Sequence, residues 1–250
     1  MQLFDLTGKT ALITGASSGL GEQFARCLSN AGARVILLAR RLDKLQILAN
    51  ELGNTLALEM DVSDKKSIKS IFDHLESLGE KIDICINNAG IAHLTPIFED
   101  DEEEIFEKTM QTNFMGTWYV SKFTANHMKL HSIPGSIINI GSVNGDALPA
   151  KGGSAYSVSK SAVIHLTKTL VDELSPHKIR INCISPGWFK TPMNGPEVEA
   201  IIPHIPHGYV APCSDMDGLI LYLSSNQASS YVTGSCFTID GGASWSGSSW

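Results

Sequence analysis

Thr10-Ala11-Leu12-Ile13-Thr14 runs without a break into Gly15-Ala16-Ser17-Ser18-Gly19-Leu20-Gly21, and the amphipathic stretch Gly19–Asn30 follows. The first five residues read as a strand covered on both faces. Leu20, Phe24 and Leu28 share one helical face, and Ala31-Gly32 offers a C-terminal cap. Strand, small-residue turn and helix together are the context that a dinucleotide-binding turn needs. Small residues let the backbone approach a pyrophosphate, and the helix N-terminus supplies free N–H groups and a positive dipole end. The spacing is Gly-x-x-x-Gly-x-Gly; by itself it equally describes any tight strand-to-helix turn.

The alternation continues outward from this point. Apolar runs at Arg34–Ala39, Thr55–Met60, Ile82–Asn87, Ser136–Gly141, Ile179–Ser185 and Ser235–Asp240 alternate with helical patterns. The helical patterns are Leu42–Leu52, Lys65–Leu78, Glu102–Leu130, Ala155–Leu174 and Met216–Leu223. This predicts an α/β fold of βαβ units with a parallel sheet and right-handed crossovers. No linker, repeat or low-complexity segment divides the chain, so one domain over 1–250 is expected. The tail 241–250 is rich in Gly and Ser but carries Trp245 and Trp250, and is expected to pack against something.

The 250 residues carry a formal net charge of −7, with 43% hydrophobic and 18% charged side chains. That is a globular composition, and a chain of this length buries roughly 70–75% of its unfolded surface. The acidic balance argues against nucleic acid or an anionic membrane as partner. No apolar run reaches the roughly 18 residues of a membrane helix, and the N-terminus lacks the pattern of a signal peptide. The five cysteines are distant in sequence and odd in number, as expected of reduced thiols in a cytoplasmic protein. The eight histidines are read as showing neither HExxH nor paired spacing, and no metal site is expected.

Further candidates lie at the ends of the later strands. The second strand ends in Ala39-Arg40-Arg41, where an acid would suit the ribose of NAD. Two guanidiniums suit a 2′-phosphate instead, although both also fit a solvated helix start. Asp61 follows the third strand and can accept a hydrogen bond from an adenine amino group. Asn87-Asn88-Ala89-Gly90 ends the fourth, with a thin wall suited to lie beside a ligand. The fifth ends in Gly141-Ser142; Tyr156 and Lys160, four apart, follow on a predicted helix. That spacing puts tyrosine and lysine on one face, about 5–6 Å apart at Cβ. A lysine ammonium there is expected to lower the phenol from its usual pKa near 10, fitting it for proton transfer.

Taken in order, TGASSGLG, Asp61-Val62, NNAG, Asn113, Ser142, Tyr156-x-x-x-Lys160, Pro186-Gly187 and Thr191 resemble the short-chain dehydrogenase/reductase family. The resemblance extends through Asp240-Gly241-Gly242 and is closest in layout to 3-oxoacyl-carrier-protein reductases. It implies a Rossmann-like, doubly wound domain with a seven-stranded parallel sheet, a variable lid at about 188–215, and a homotetramer. It also implies hydride transfer between a nicotinamide cofactor and a carbonyl or secondary alcohol. Tyr156 is then the acid or base, and Lys160 lowers its pKa and holds the nicotinamide ribose. Ser142 orients the substrate oxygen, and Asn113 supports a water relay. The cofactor residues implied are Gly15, Ser17, Ser18, Gly19, Leu20, Gly21, Arg40, Arg41, Asp61, Val62, Asn88, Ala89, Gly90, Tyr156, Lys160, Pro186, Gly187 and Thr191. Substrate contacts fall on Ser142, Asn144, Tyr156, Trp188 and Met193.

The arginine pair points to NADP(H), with NAD(H) as the alternative. Of the substrates, 3-oxoacyl thioesters lead by analogy, although Lys129 and Pro176-His177-Lys178 stand where that group presents arginines to an acidic carrier. Small ketones, sugars and polyols, and steroid-like alcohols are the other classes. A non-catalytic dinucleotide sensor or scaffold is the alternative function, disfavoured because a sensor has no need of a tuned tyrosine. A methyltransferase fails on the dinucleotide turn.

Overall fold

The computed structural model describes residues 2–99 and 101–246. Thr10–Thr14 forms β1, Gly19–Asn30 α1, Arg34–Ala39 β2, Leu42–Leu52 α2, Thr55–Glu59 β3 and Lys65–Ser77 α3. Ile84–Asn87 is β4, Glu102–Thr109 α4, Gly116–Leu130 α5, Ser136–Ile140 β5 and Ser154–Thr169 α6. Val171–Leu174 (α7), Arg180–Pro186 (β6), Asp217–Ser224 (α8) and Cys236–Ile239 (β7) complete the order. All seven strands pair in parallel, in the order β3-β2-β1-β4-β5-β6-β7. The expected α/β, doubly wound architecture with a seven-stranded parallel sheet is therefore present. The chain winds outward from β1 to β3 and then returns to place β4 beside β1. This reversal opens a crevice at the carboxyl ends of β1 and β4.

Alternating strand residues feed two apolar layers. Ala11, Ile13, Val35, Leu37 and Ile86 pack on one face with Phe24 and Leu28 of α1, Leu45 of α2 and Ile220 of α8. Leu12, Ile36, Leu38, Cys85 and Ile137 pack on the other with Ile68 and Phe72 of α3 and Val120 of α5. Burial on both faces explains why the strands read as continuous apolar runs. A polar line crosses the second layer. Asn87 Nδ2 donates to Ser121 Oγ and to Asn139 Oδ1, each at 2.8 Å, and Asn139 Nδ2 donates to Thr167 Oγ1 at 3.0 Å. It ties α5 to α6 through β4 and β5.

Glu102–Leu130, expected as one helix, is broken by a π-helical turn at Met110–Met115. The turn's Asn113 side chain is drawn sideways, accepting from Ile91 N at 2.8 Å and donating to Ile91 O at 2.9 Å. The widened turn accommodates that pull. The helix expected over Ala155–Leu174 divides after Thr169, with Pro176 soon preventing continuation. The cysteines, distant in sequence, include one facing pair, Cys183 and Cys236, on neighbouring strands; all five thiols are free. In the tail, Ala243 is buried against the lid whereas Trp245 is 88% exposed; Trp250 lies outside the described residues.

Candidate active site

The glycine-rich turn is shaped by backbone contact. Gly15 and Gly19 adopt φ of +67° and +60°, and a Cβ on Gly15 would stand 2.8 Å from Ala89 Cα. A Cβ on Gly21 would lie 2.5 Å from Asn88 Nδ2 and collide with Gly15 O, so only glycine lets α1 seat on the turn. Asn88 and Ala89 stitch the turn to β4. Thr14 Oγ1 accepts from the N–H of both at 3.0 Å, and Asn88 Nδ2 donates to Thr14 O at 3.0 Å. Ser18 is the N-cap of α1 yet makes no side-chain cap bond, leaving the first helical N–H groups turned to the crevice.

This crevice has a volume of about 240 Å³. Gly15, Ser17, Ser18, Gly19, Leu20, Arg40, Arg41, Asp61, Val62, Asn88, Ala89, Gly90 and Thr191 all line it. Arg41 is folded back on the turn, with Nη2 donating to Ser17 Oγ and to Ser18 Oγ at 2.8 Å each. Asp61 Oδ1 accepts from the Ser63 N–H at 2.9 Å and hydroxyl at 2.7 Å, which holds its carboxylate at the end of β3. Gly21, Tyr156, Lys160, Pro186 and Gly187 are not in its wall. Gly21 instead supports the turn, and Gly187, whose N–H donates to Ile239 O at 2.9 Å, joins β6 to β7. Ile91, Thr112 and Pro192 also line the crevice without having been expected. Thr112 adjoins Asn113 and Ile91 adjoins the NNAG run; adjacency was their only signal. An open helix N-terminus, a glycine floor and two arginines in place of a ribose-binding acid fit a dinucleotide carrying an extra phosphate.

A second cavity, of about 830 Å³, adjoins the crevice through Met193 and is lined by all five expected substrate residues. Ser142 and Tyr156 both face it, with the Ser142 hydroxyl near enough to favour the phenolate. Ser142 follows β5 and is set by Asn144, whose N–H donates to its Oγ at 3.1 Å. Lys160 is 5% exposed, and its Nζ donates to Ile140 O at 2.8 Å and stands 5.8 Å from the Tyr156 ring centre. Asn113 approaches the same point: a Cβ on Gly90 would lie 3.2 Å from Asn113 Oδ1 and 3.5 Å from Lys160 Nζ. Asn113 Nδ2 also donates to Ser159 Oγ at 3.0 Å, pinning the π-helical turn to α6.

Charge behaves differently from expectation. Burial pushes the Tyr156 phenol up, and the Ser142 hydrogen bond offsets only part of that rise. Lys160, the expected source of a lowered phenol, is itself pushed down to about 8 by burial. Desolvation is the dominant cause of both shifts.

The lid holds a small core of its own, where Ile205, Val210 and Ala243 pack with Leu148, Trp188, Val198, Ile201 and Ile202. Away from the crevice, His127 of α5 and His131 at its C-terminal cap, a four-residue pairing not expected from the sequence, converge on Glu76. Glu76 Oε2 accepts from His131 Nε2 at 2.8 Å and lies 3.2 Å from His127 Nδ1. The Ile82 N–H points at His127 Nε2 at 3.4 Å, placing that ring's proton on Nδ1, towards Glu76. The group is thus a hydrogen-bonded clasp between α3 and α5, at the amino ends of the strands.

A dinucleotide crevice opening on a Ser–Tyr–Lys pocket defines an oxidoreductase of the Rossmann type. The chain belongs to the short-chain dehydrogenase family, whose model matches residues 9–201. It is similar to oxidoreductase UcpA of Salmonella typhimurium, 37% identical over 254 residues that cover 95% of each chain. It is also similar to the 3-oxoacyl-[acyl-carrier-protein] reductase FabG of Rickettsia felis, 33% identical over 246 residues covering 96% of this chain and 98% of the relative. A solved gluconate 5-dehydrogenase from Burkholderia cenocepacia, in complex with NADP and tartrate, superposes with a TM-score of 0.88. That structure is 30% identical, covering 96% of this chain and 97% of its own.

Proposed function

We propose that this protein is an NADP(H)-dependent reductase of carbonyl compounds, working reversibly on the corresponding secondary alcohols. The carrying observation is the cluster of Ser142 and Tyr156 on the wall of the 830 Å³ cavity, with the buried Lys160 Nζ 5.8 Å from the Tyr156 ring centre. When bound, NADP(H) supplies or accepts the hydride. The glycine turn and the α1 N-terminus would hold its pyrophosphate, Arg40 and Arg41 its 2′-phosphate, and Asp61 its adenine.

The chain's own groups manage the oxygen. Ser142 orients it beside the phenol. In reduction the carbonyl carbon gains a hydride and its oxygen gains the Tyr156 proton; oxidation reverses both transfers. A phenol held up by burial carries its proton at neutral pH, which favours the reductive direction. Lys160 and Asn113 lie behind Tyr156, placed to return its proton.

We further propose a cytoplasmic homotetramer. The free thiols suit a reducing compartment, and no helix among the described residues is long and apolar enough to cross a membrane. Trp245, 88% exposed beyond the edge strand β7, supports a contact between copies. A 3-oxoacyl thioester is a second substrate reading, favoured by the similarity to the R. felis reductase.

The test is cofactor oxidation at fixed NADPH across ketones, 3-oxoacyl thioesters and sugars. Turnover that depends on Tyr156 establishes the enzyme. Tight NADPH binding with no turnover of any carbonyl establishes the sensor instead.

A further inference from the structure

We infer that the substrate is a neutral, extended, apolar ketone or secondary alcohol, and that the site rejects sugar acids, polyols and carrier-bound thioesters. This inference rests on the reductase reading above and deepens it.

The first argument is the supply of charge. Recognition of a carboxylate or phosphate calls for a guanidinium fork or an unpaired ammonium. The chain has five arginines, and each has another place. Arg26 pairs with Glu22 and Glu51, and Arg34 with Glu80. Arg40 and Arg41 line the dinucleotide crevice, and Arg180 is buried with Nη2 donating to Leu223 O at 2.9 Å. In the lid, Lys190 is paired with Glu199 at 3.0 Å. The cavity wall contains one lysine, the exposed Lys151, and one acid, the exposed Glu197, so its formal charges cancel and offer an anionic substrate no net attraction.

The second argument is the supply of hydrogen bonds. A polyol needs a partner for each hydroxyl taken out of water. The two amides in the wall spend donors within the protein: Asn144 Nδ2 on Leu148 O at 2.5 Å and Asn194 Nδ2 on Phe189 O at 2.8 Å. Ser142 and Tyr156 can serve one oxygen, the one that reacts.

Apart from His204 and the indole N–H of Trp188, what remains of the wall is mostly apolar. Leu148, Trp188, Val198 and Ile201 form the inner wall, and the cavity of about 830 Å³ is far larger than a three-carbon polyol needs. Leu94 and Met193 stand at its mouth 65% and 54% exposed, apolar side chains that a long substrate would cover. A carrier is no better served. Lys129 ends α5 and Lys178 precedes β6, so both stand at the amino ends of the strands, away from the cavity.

The experiment measures kcat/KM with NADPH for straight-chain 2-ketones from butanone to decanone, and for dihydroxyacetone, 5-ketogluconate and a 3-oxoacyl-carrier thioester. Each added methylene should raise kcat/KM about three- to fourfold until the cavity is filled. Met193→Asp at the mouth should flatten that slope, and Glu197→Arg should raise activity on 5-ketogluconate about tenfold or more. A higher kcat/KM for dihydroxyacetone, 5-ketogluconate or the thioester than for the long ketones overturns the inference. So does the absence of chain-length dependence. In parallel, calorimetry of NADPH-loaded Tyr156→Phe protein measures binding alone. Affinity that grows with chain length, when the wild-type protein turns over none of the panel, sustains the apolar site while refuting the reductase reading. Absence of ketone binding overturns the apolar site itself.

Discussion

Arg41 reaches back across 24 residues to Ser17, its Nη2 donating to the serine Oγ at 2.8 Å and its Nε to the same oxygen at 3.2 Å. The guanidinium is thereby held over the glycine turn, where a phosphate on the adenine-side ribose would meet it. Arg41→Ala should weaken NADPH binding roughly 10- to 150-fold, the worth of a charge-assisted contact of about 1.5–3 kcal/mol. NADH binding should be nearly unchanged. Fluorescence titration of both cofactors checks this; equal or tighter NADH binding by the wild type refutes the assignment.

Tyr156→Phe should reduce turnover to below about a hundredth while NADPH binding stays within about twofold. The ring still packs in its buried place, and only the proton is lost. A variant keeping a tenth of wild-type activity removes Tyr156 from the acid–base role.

Lys160 releases its proton near pH 8 in the folded chain, against 10.5 ordinarily. Between those values the unfolded chain binds more protons, so stability rises with pH across that window. Below pH 8 the full penalty applies, on the order of 3 kcal/mol. Lys160→Met removes that penalty but forfeits the bond to Ile140 O, worth about 1 kcal/mol. The variant should therefore be more stable at pH 7 by about 1–2 kcal/mol, and lose that advantage towards pH 10. Urea unfolding of the protein without cofactor at both pH values measures it.

Gly21→Ala should destabilise the fold by about 1–3 kcal/mol and abolish dinucleotide binding, because the added methyl meets Asn88 and the Gly15 carbonyl. Thermal unfolding and an NADPH titration report the two effects separately. Ala at Gly218, also helical and with nothing within 4 Å of the added carbon, controls for the glycine-to-alanine change without a clash.

Trp245→Ser should lower the mass measured by light scattering from tetramer to dimer, with α-helical content unchanged. A tetramer that survives the substitution removes Trp245 from the contact, and a wild-type monomer removes the oligomer.

Much of the frame was legible along the chain. Thr10–Thr14, Gly19–Asn30, Arg34–Ala39 and Leu42–Leu52 have the same bounds in the structure as in the pattern, because strong apolar periodicity there ends at Gly, Arg or polar turns. Ser142 and Tyr156 were legible as a pair through spacing and order. The π-helical turn was not, since helical periodicity continues on both sides of Met110–Met115. Nor was the charge state of Tyr156, which depends on how deeply α6 is buried and not on the four-residue step to Lys160. The clasp on Glu76 needed two helices distant in sequence to be brought together.

The widened turn at Met110–Met115 lets two helices stay in phase while an extra residue is stored between them. Asn113 faces Ile91 and Ser159 because one surplus residue is stored there. Removing one residue from the turn would let ordinary helix form with α4 and α5 still in phase, but the sideways reach of Asn113 to Ile91 would be lost. A chain that lost the surplus residue would keep its helices in register and forfeit its asparagine, so the irregularity is spent on one side chain.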